Sequence, residues 1–208
     1  MDYKSFLKII KAAFTRPLPG KAAQYFMAPE GRPQTDIEGL DKTKVRQAGV
    51  LALIYNQNGN ARLILTERST YRGVHSGQIS LPGGKREPFD VDFKATALRE
   101  TEEEIAVPST SIEVLGSLSP LYIPPSNFLV YPFVGTLDKI PEMIPEPKEV
   151  NQILSYPIDF LLDESSRKFQ KIKLSSGFVM ESPAFVLDDV VIWGATAMIL
   201  GELKAMLK

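Results

Sequence analysis

Apolar and polar positions alternate along this chain with two different periods. Phe6, Leu7, Ile9, Ile10, Ala13 and Phe14 recur at helical spacing, which predicts an amphipathic helix over residues 3–14. Pro17, Pro19 and Gly20 end it. Ala95, Leu98, Thr101 and Ile105 predict a second helix from about Asp92 to Ile105, with Asp90 or Asp92 as its N-cap. Strand patterns lie over residues 48–55 and 62–67, joined by a turn at 56–60, and together they read as a hairpin. Further strands are expected over 111–118 and 129–137, on either side of a loop at 122–128. Residues 171–174, 178–180 and 184–187 are strand-like, and 190–197 is a buried strand or turn leading into a last helix over 196–207. Residues 21–44, rich in Pro, Gly and charge, read as a surface loop tacked down by Tyr25-Phe26-Met27. A proline-punctuated loop over 140–147 leads through Glu149 to a short helix over 158–162.

Composition places these elements in one globular unit. The chain has 208 residues, 44% hydrophobic and 24% charged, enough for one sizeable core. The expected organisation is an N-terminal helix and surface loop, 1–43, packed on a domain over 44–208. A formal net charge of −1 gives no footprint of a nucleic-acid binder. The absence of cysteine excludes disulfides and thiolate metal sites. Residues 1–15 lack a signal-peptide core, and no apolar run approaches the ~18 residues of a membrane span. Cytoplasm is the default expectation, with no membrane partner.

The chemistry concentrates between Leu81 and Val107, where a glycine turn precedes a helix crowded with acids. At about 100° per residue, Glu103 falls roughly 60° to one side of Glu100 and Glu104 roughly 40° to the other. Three carboxylates therefore share one face, and Glu102 points away. Glu100 and Glu104 form a like-charge i,i+4 pair near a helix C-terminus, where the macrodipole disfavours anions. The fold gains nothing from this unless a cation binds. Hard divalent ions such as Mg²⁺ prefer carboxylate oxygen and bridge to phosphate. A solvated acidic face is the bland alternative. The preceding glycine turn, and Arg99 placed to pair with Glu103, argue for a built site.

Gly84, Asp90, the run Arg99-Glu100-Thr101-Glu102-Glu103-Glu104, and Val107 resemble the box of the Nudix hydrolases, G-x(5)-E-x(7)-R-E-U-x-E-E-x-G-U with U aliphatic. There are three departures: one extra residue between Asp90 and Arg99, Thr101 for the aliphatic residue, and Ala106 for the late glycine. The last predicts that the helix cannot end in the easy left-handed glycine cap. The longer gap and the Asp resemble the coenzyme A pyrophosphatase branch. So do Leu65-Thr66-Glu67-Arg68-Ser69, the run Gly77 to Gly84, and Ile192-Trp193-Gly194-Ala195-Thr196-Ala197. The branch's second upstream arginine aligns only with a shift, and Arg72 is the nearest candidate. The resemblance spans residues 46–207.

That resemblance implies an α/β (α+β) fold, a Nudix-type α/β/α sandwich with a central mixed sheet. It implies that Glu100, Glu103, Glu104 and the carbonyl of Gly84 hold Mg²⁺ or Mn²⁺. Glu100 or Glu149 is the expected general base, and Arg99 orients the acids. Guanidinium groups of Arg68 and Arg72 suit phosphate oxygens, and Ser126 and Asn127 are candidate hydrogen-bonders to substrate. His75, the only histidine, reads as a loop residue that the carboxylate chemistry does not need. The implied reaction cleaves coenzyme A or acyl-coenzyme A to 3′,5′-ADP and (acyl-)4′-phosphopantetheine. The alternatives are another nucleoside diphosphate derivative such as ADP-ribose, or a non-catalytic nucleotide-binding module, against which the retained acids argue. The partner is a small nucleotide, and a homodimer is an expectation of the family alone.

Overall fold

The computed structural model describes residues 1–69, 77–139, 141–174 and 177–208. At its centre lies β1 (Arg46–Gln57), an apolar strand buried on both faces. It runs antiparallel to β2 (Asn60–Arg68) through the expected hairpin. It runs parallel to β7 (Phe128–Leu137), in register from Arg46↔Phe128 to Tyr55↔Leu137. With β3 (Ile79–Ser80), β4 (Gly83–Lys85), β5 (Glu113–Ser117), β6 (Leu121–Ile123) and β8 (Val150–Pro157) these form one mixed sheet. Its main order is β3-β2-β1-β7-β5, with β4 on β1, β6 on β7 and β8 on β2. A smaller antiparallel sheet is formed by β9 (Arg167–Lys173), β10 (Val179–Leu187) and β11 (Val190–Trp193), in the order β11-β10-β9.

Strand alternation divides the core into two layers. Leu51, Leu53 and Tyr55 face α3 (Phe93–Ile105), where they pack with Ala97 and Ile105. Ala48, Ala52 and Ile54 face the other way, toward α1 (Tyr3–Ala13), α2 (Gly20–Tyr25) and α4 (Gly194–Met206), and join Phe6, Ile10, Met27, Leu200 and Leu203. The result is the expected α/β/α sandwich around a mixed sheet. Helix α4 is apolar nearly all round and correspondingly buried. Its one acid, Glu202, is fully buried and accepts hydrogen bonds from Gly20 N–H, Gln24 Nε2 and Ser119 N–H and Oγ. No described helix is long and apolar enough to cross a membrane.

Several elements depart from the sequence reading. The segment expected as a bare loop over 21–44 contains α2, ordered by Glu202 on another helix. The stretch after Glu149 is a strand, β8, paired with β2 from Arg62↔Pro157 to Arg68↔Val150. Its Asn, Gln and Ser positions hide it, because only Val150 is buried. Strand β10 runs unbroken through Pro183, where a break was expected. Pairing to β11 begins one residue later, at Ala184, so on that side the missing N–H has no partner to lose.

Helix α3 starts as predicted, with Asp92 as N-cap accepting the Ala95 N–H at 2.7 Å. Its end corrects the sequence reading. Ala106 takes the left-handed conformation (φ 58°, ψ 23°) despite its side chain, and its N–H closes on Glu102 O at 2.9 Å. An L-residue pays about 1–2 kcal/mol there, partly offset by the lower unfolded-state entropy of Ala relative to Gly. Ala106→Gly should therefore stabilise the fold by about 0.5–1 kcal/mol, read as a higher urea midpoint at unchanged slope.

Candidate functional site

Two glycines let α3 lie against the sheet. A Cβ at Gly49 on β1 would overlap the Phe93 carbonyl on α3, and a Cβ at Gly84 on β4 would overlap the Glu100 carboxylate. Gly84 pairs with Gly49 across the β1–β4 ladder, so the strands present a bare strip to the helix. Gly84 was a candidate from sequence. Gly49 was not, because a lone glycine in an apolar run carries no signal until its neighbour across the sheet is known.

The loop between β4 and α3 is held by Asp90. This buried carboxylate accepts Nε and Nη2 of Arg99, each at 3.0 Å, Thr96 Oγ1 at 3.0 Å and the Glu87 N–H at 2.9 Å. Arg99 above all, with the other donors, holds its pKa well below the usual carboxylate range. Arg99 also donates to Glu103 Oε2 at 2.8 Å and to Lys85 O at 3.2 Å, and it pairs with Glu100 Oε1 at 2.9 Å. Its expected partner, Glu103, is thus confirmed and joined by Asp90 and Glu100. Glu102 turns away to accept the Ser109 N–H.

The three acids on the shared face differ in depth. Glu104 is 2% exposed, Glu100 is mostly covered, and the Glu103 side chain is 60% exposed. Glu104 accepts the Gly83 N–H at 3.1 Å, and its Oε1 lies 3.8 Å from Arg68 Nη1. Burial pushes the Glu104 pKa up to about 7, with Arg68 and the Gly83 N–H opposing and Glu100 and Glu149 adding to the rise. Burial raises Glu100 as well, against Arg99, with Glu103 and Glu149 adding. Among the described residues no three acids already converge in a closed ligand cage. One buried and one mostly covered carboxylate beside the Gly84 cradle nevertheless supply the hard oxygen donors that Mg²⁺ or Mn²⁺ takes, so the residues present fit such an ion.

Chain folding brings Glu149 to this place from far along the sequence. Glu146 N–H donates to Glu104 O at 2.9 Å, and Ser69 N–H donates to Glu149 O at 2.9 Å. Glu149 is exposed at the rim, close enough for its charge to act on both Glu100 and Glu104. Arg68, at the end of β2, reaches the same place. Ser126 and Asn127 stand apart. Asn127 O accepts the Arg46 N–H, three residues along β1 from Gly49 and so about 10 Å away. Asn127 itself is a left-handed turn residue (φ 52°) whose amide is engaged by Tyr122 Oη and Lys44 O. Ser126 Oγ is buried without a partner among the described residues. Arg72 and His75 lie outside the described residues.

A model described as NUDIX domain matches residues 45–172. The chain is 37% identical over 166 residues to the mitochondrial Nudix hydrolase 15 of Arabidopsis thaliana, covering 77% of this chain and 58% of that protein. It is 31% identical over 160 residues to a mitochondrial coenzyme A diphosphatase of Homo sapiens, covering 76% and 68%. A peroxisomal coenzyme A diphosphatase of Mus musculus is 37% identical over 113 residues, covering 54% and 48%. The chain thus spans little more than half the length of the Arabidopsis proteins it matches. Among solved structures, a Nudix hydrolase from M. smegmatis, RenU, superposes with a TM-score of 0.54 at 14% identity, over 86% of this chain and 91% of that one. At that identity the likeness concerns the fold.

The raised Glu104 pKa has a stability consequence in metal-free protein. Below the unfolded value of about 4.5, Glu104 is neutral in both states and its burial is harmless. As pH rises from there to about 7 the folded state keeps the proton that the unfolded state loses, so stability falls, and it levels off above. Glu104→Gln removes that loss. Urea denaturation in a chelator should show the variant gaining roughly 2–3 kcal/mol on the wild type between pH 4.5 and pH 8. A constant difference across that range would show that Glu104 does not titrate there.

Proposed function

The chain belongs to the Nudix hydrolase family, and from that premise we propose that it hydrolyses the pyrophosphate bond of coenzyme A or an acyl-coenzyme A. The products are 3′,5′-ADP and 4′-phosphopantetheine, acylated or not. The resemblance of the upstream run to the coenzyme A branch supports the choice of substrate, and one observation sets that run at the site. Arg68, within the upstream run that resembles the coenzyme A branch, stands 3.8 Å from Glu104 at the heart of the box. A guanidinium there meets a phosphate at the point of cleavage. The coenzyme A diphosphatases among the relatives support the same reading.

In this reading Glu100 and Glu104, with the Gly84 carbonyl, would hold Mg²⁺ or Mn²⁺, and Glu103, exposed and paired with Arg99, would join them. Such an ion would supply Lewis-acid neutralisation of the pyrophosphate charge. The protein's own groups do the rest. The Asp90–Arg99 latch fixes the helix, so that the acids meet the substrate without rearranging. Glu149, exposed at the rim, takes the proton of the attacking water, with Glu100 the second candidate base. Water oxygen forms a new P–O bond as the bridging P–O bond breaks in line, and the leaving phosphate departs with its electron pair. Arg68 binds a phosphate oxygen through the attack.

Product analysis with Mg²⁺ or Mn²⁺ tests the proposal across coenzyme A, an acyl-coenzyme A, ADP-ribose and a dinucleoside polyphosphate. Preferred release of 3′,5′-ADP is expected. Preferred cleavage of ADP-ribose or the dinucleotide would keep the reaction class and discard coenzyme A. Cleavage of none by a folded, nucleotide-binding sample would favour a binding module. Glu149→Gln should lower kcat by about 10² or more while Mn²⁺ binding persists; an unchanged kcat would move the base to Glu100.

A further inference from the structure

Arg68 and Glu104 form an incomplete pair. Glu104 is buried, and its Oε2 accepts the Gly83 N–H at 3.1 Å. Its Oε1 has Arg68 Nη1 at 3.8 Å, within attraction but beyond a hydrogen bond. The Arg68 side chain is 28% exposed, and its Nε is buried with no hydrogen-bond partner among the described residues. A buried guanidinium N–H without an acceptor calls for a ligand. Arg99, one turn earlier on the helix than Glu103, shows the contrast: its guanidinium is closed on Asp90, Glu103 and Lys85 O.

We propose that Arg68 is the resident counter-cation of Glu104, holding the site in metal-free protein and weakening cation binding until a substrate oxyanion draws it away. The proposal rests on the reading of Glu104 as a cation ligand. A permanent positive charge beside the deepest carboxylate opposes a divalent ion at the same oxygen. A phosphate oxygen that accepts from Nε and turns the guanidinium away lifts that opposition. Ion and substrate then favour each other's binding, and by linkage the effect is mutual. Arg68 in this role acts twice, as a brake on the empty site and as a contact in the filled one.

The test is Mn²⁺ binding to the full chain without nucleotide, followed by the paramagnetic resonance signal of free Mn²⁺. Wild type, Arg68→Gln, Arg68→Met and Arg68→Lys are compared, each checked for folding by thermal melting. The two neutral variants should bind Mn²⁺ about threefold to tenfold more tightly than wild type, with Arg68→Lys within about twofold of it. Either neutral variant suffices if the other does not fold. Neutral variants that bind as wild type does, or more weakly, overturn the brake while leaving the metal site standing. Absence of Mn²⁺ binding in the wild type and in both neutral variants overturns the brake and the metal reading of Glu104 together.

Discussion

The close approach of α3 to the β1–β4 pair is the constraint on which this site depends. Only hydrogen atoms at Gly49 and Gly84 allow the helix backbone and the Glu100 carboxylate to lie where they do. That approach buries Glu104 and most of Glu100, and burial raises both pKa values. Like charges near a helix C-terminus add to the difficulty. The fold tolerates the arrangement because cations and donors are set around it: Arg99, Arg68 and the Gly83 N–H. Stability is thus conceded at the face that carries the acids, and the surrounding sandwich supplies the excess.

Those parts of the site that follow from local geometry were legible in the sequence. Helical spacing alone puts Glu100, Glu103 and Glu104 on one face and sends Glu102 elsewhere. It also predicts the i,i+4 pair of Arg99 and Glu103, which forms at 2.8 Å. Asp92 announces itself as a cap by residue type. What could not be read depends on partners distant in the chain. Glu202 orders α2 from 178 positions away from Gln24. Strand β8 exists because β2 offers an edge, and its own pattern is too polar to signal it. Gly49 matters only because Gly84 and Phe93 meet it.

Ala106 and Asn127 show the limit in a different way. Both adopt left-handed backbone at the end of a helical turn. Asn tolerates that conformation through its short polar side chain, so the turn gives Asn127 a structural reason of its own. Ala has no such excuse, and the sequence rule that denies it a left-handed cap is outweighed by tertiary contact. One segment from far beyond the helix ties it down: Glu146 N–H and Ile144 N–H bond to the carbonyls of Glu104 and Ile105. The same bonds bring the Glu149 loop to the acids. A strained helix end and the arrival of a distant carboxylate are therefore one structural event.

The two arginines of the site divide its electrostatics. Arg99 is closed in by Asp90, Glu100, Glu103 and Lys85 O, and its removal would leave the buried Asp90 charge without its main partner. Its place in the molecule is that of scaffold. Arg68 approaches one carboxylate, at a distance that commits neither group, and its buried Nε has no acceptor among the described residues. Equal in formal charge, the two differ in how many acceptors they have already met. A guanidinium with all its directions filled orients others; one with a direction open can answer a phosphate. In the proposed reading, recognition of substrate therefore falls to the strand end of β2, and the helix is left to hold the acids.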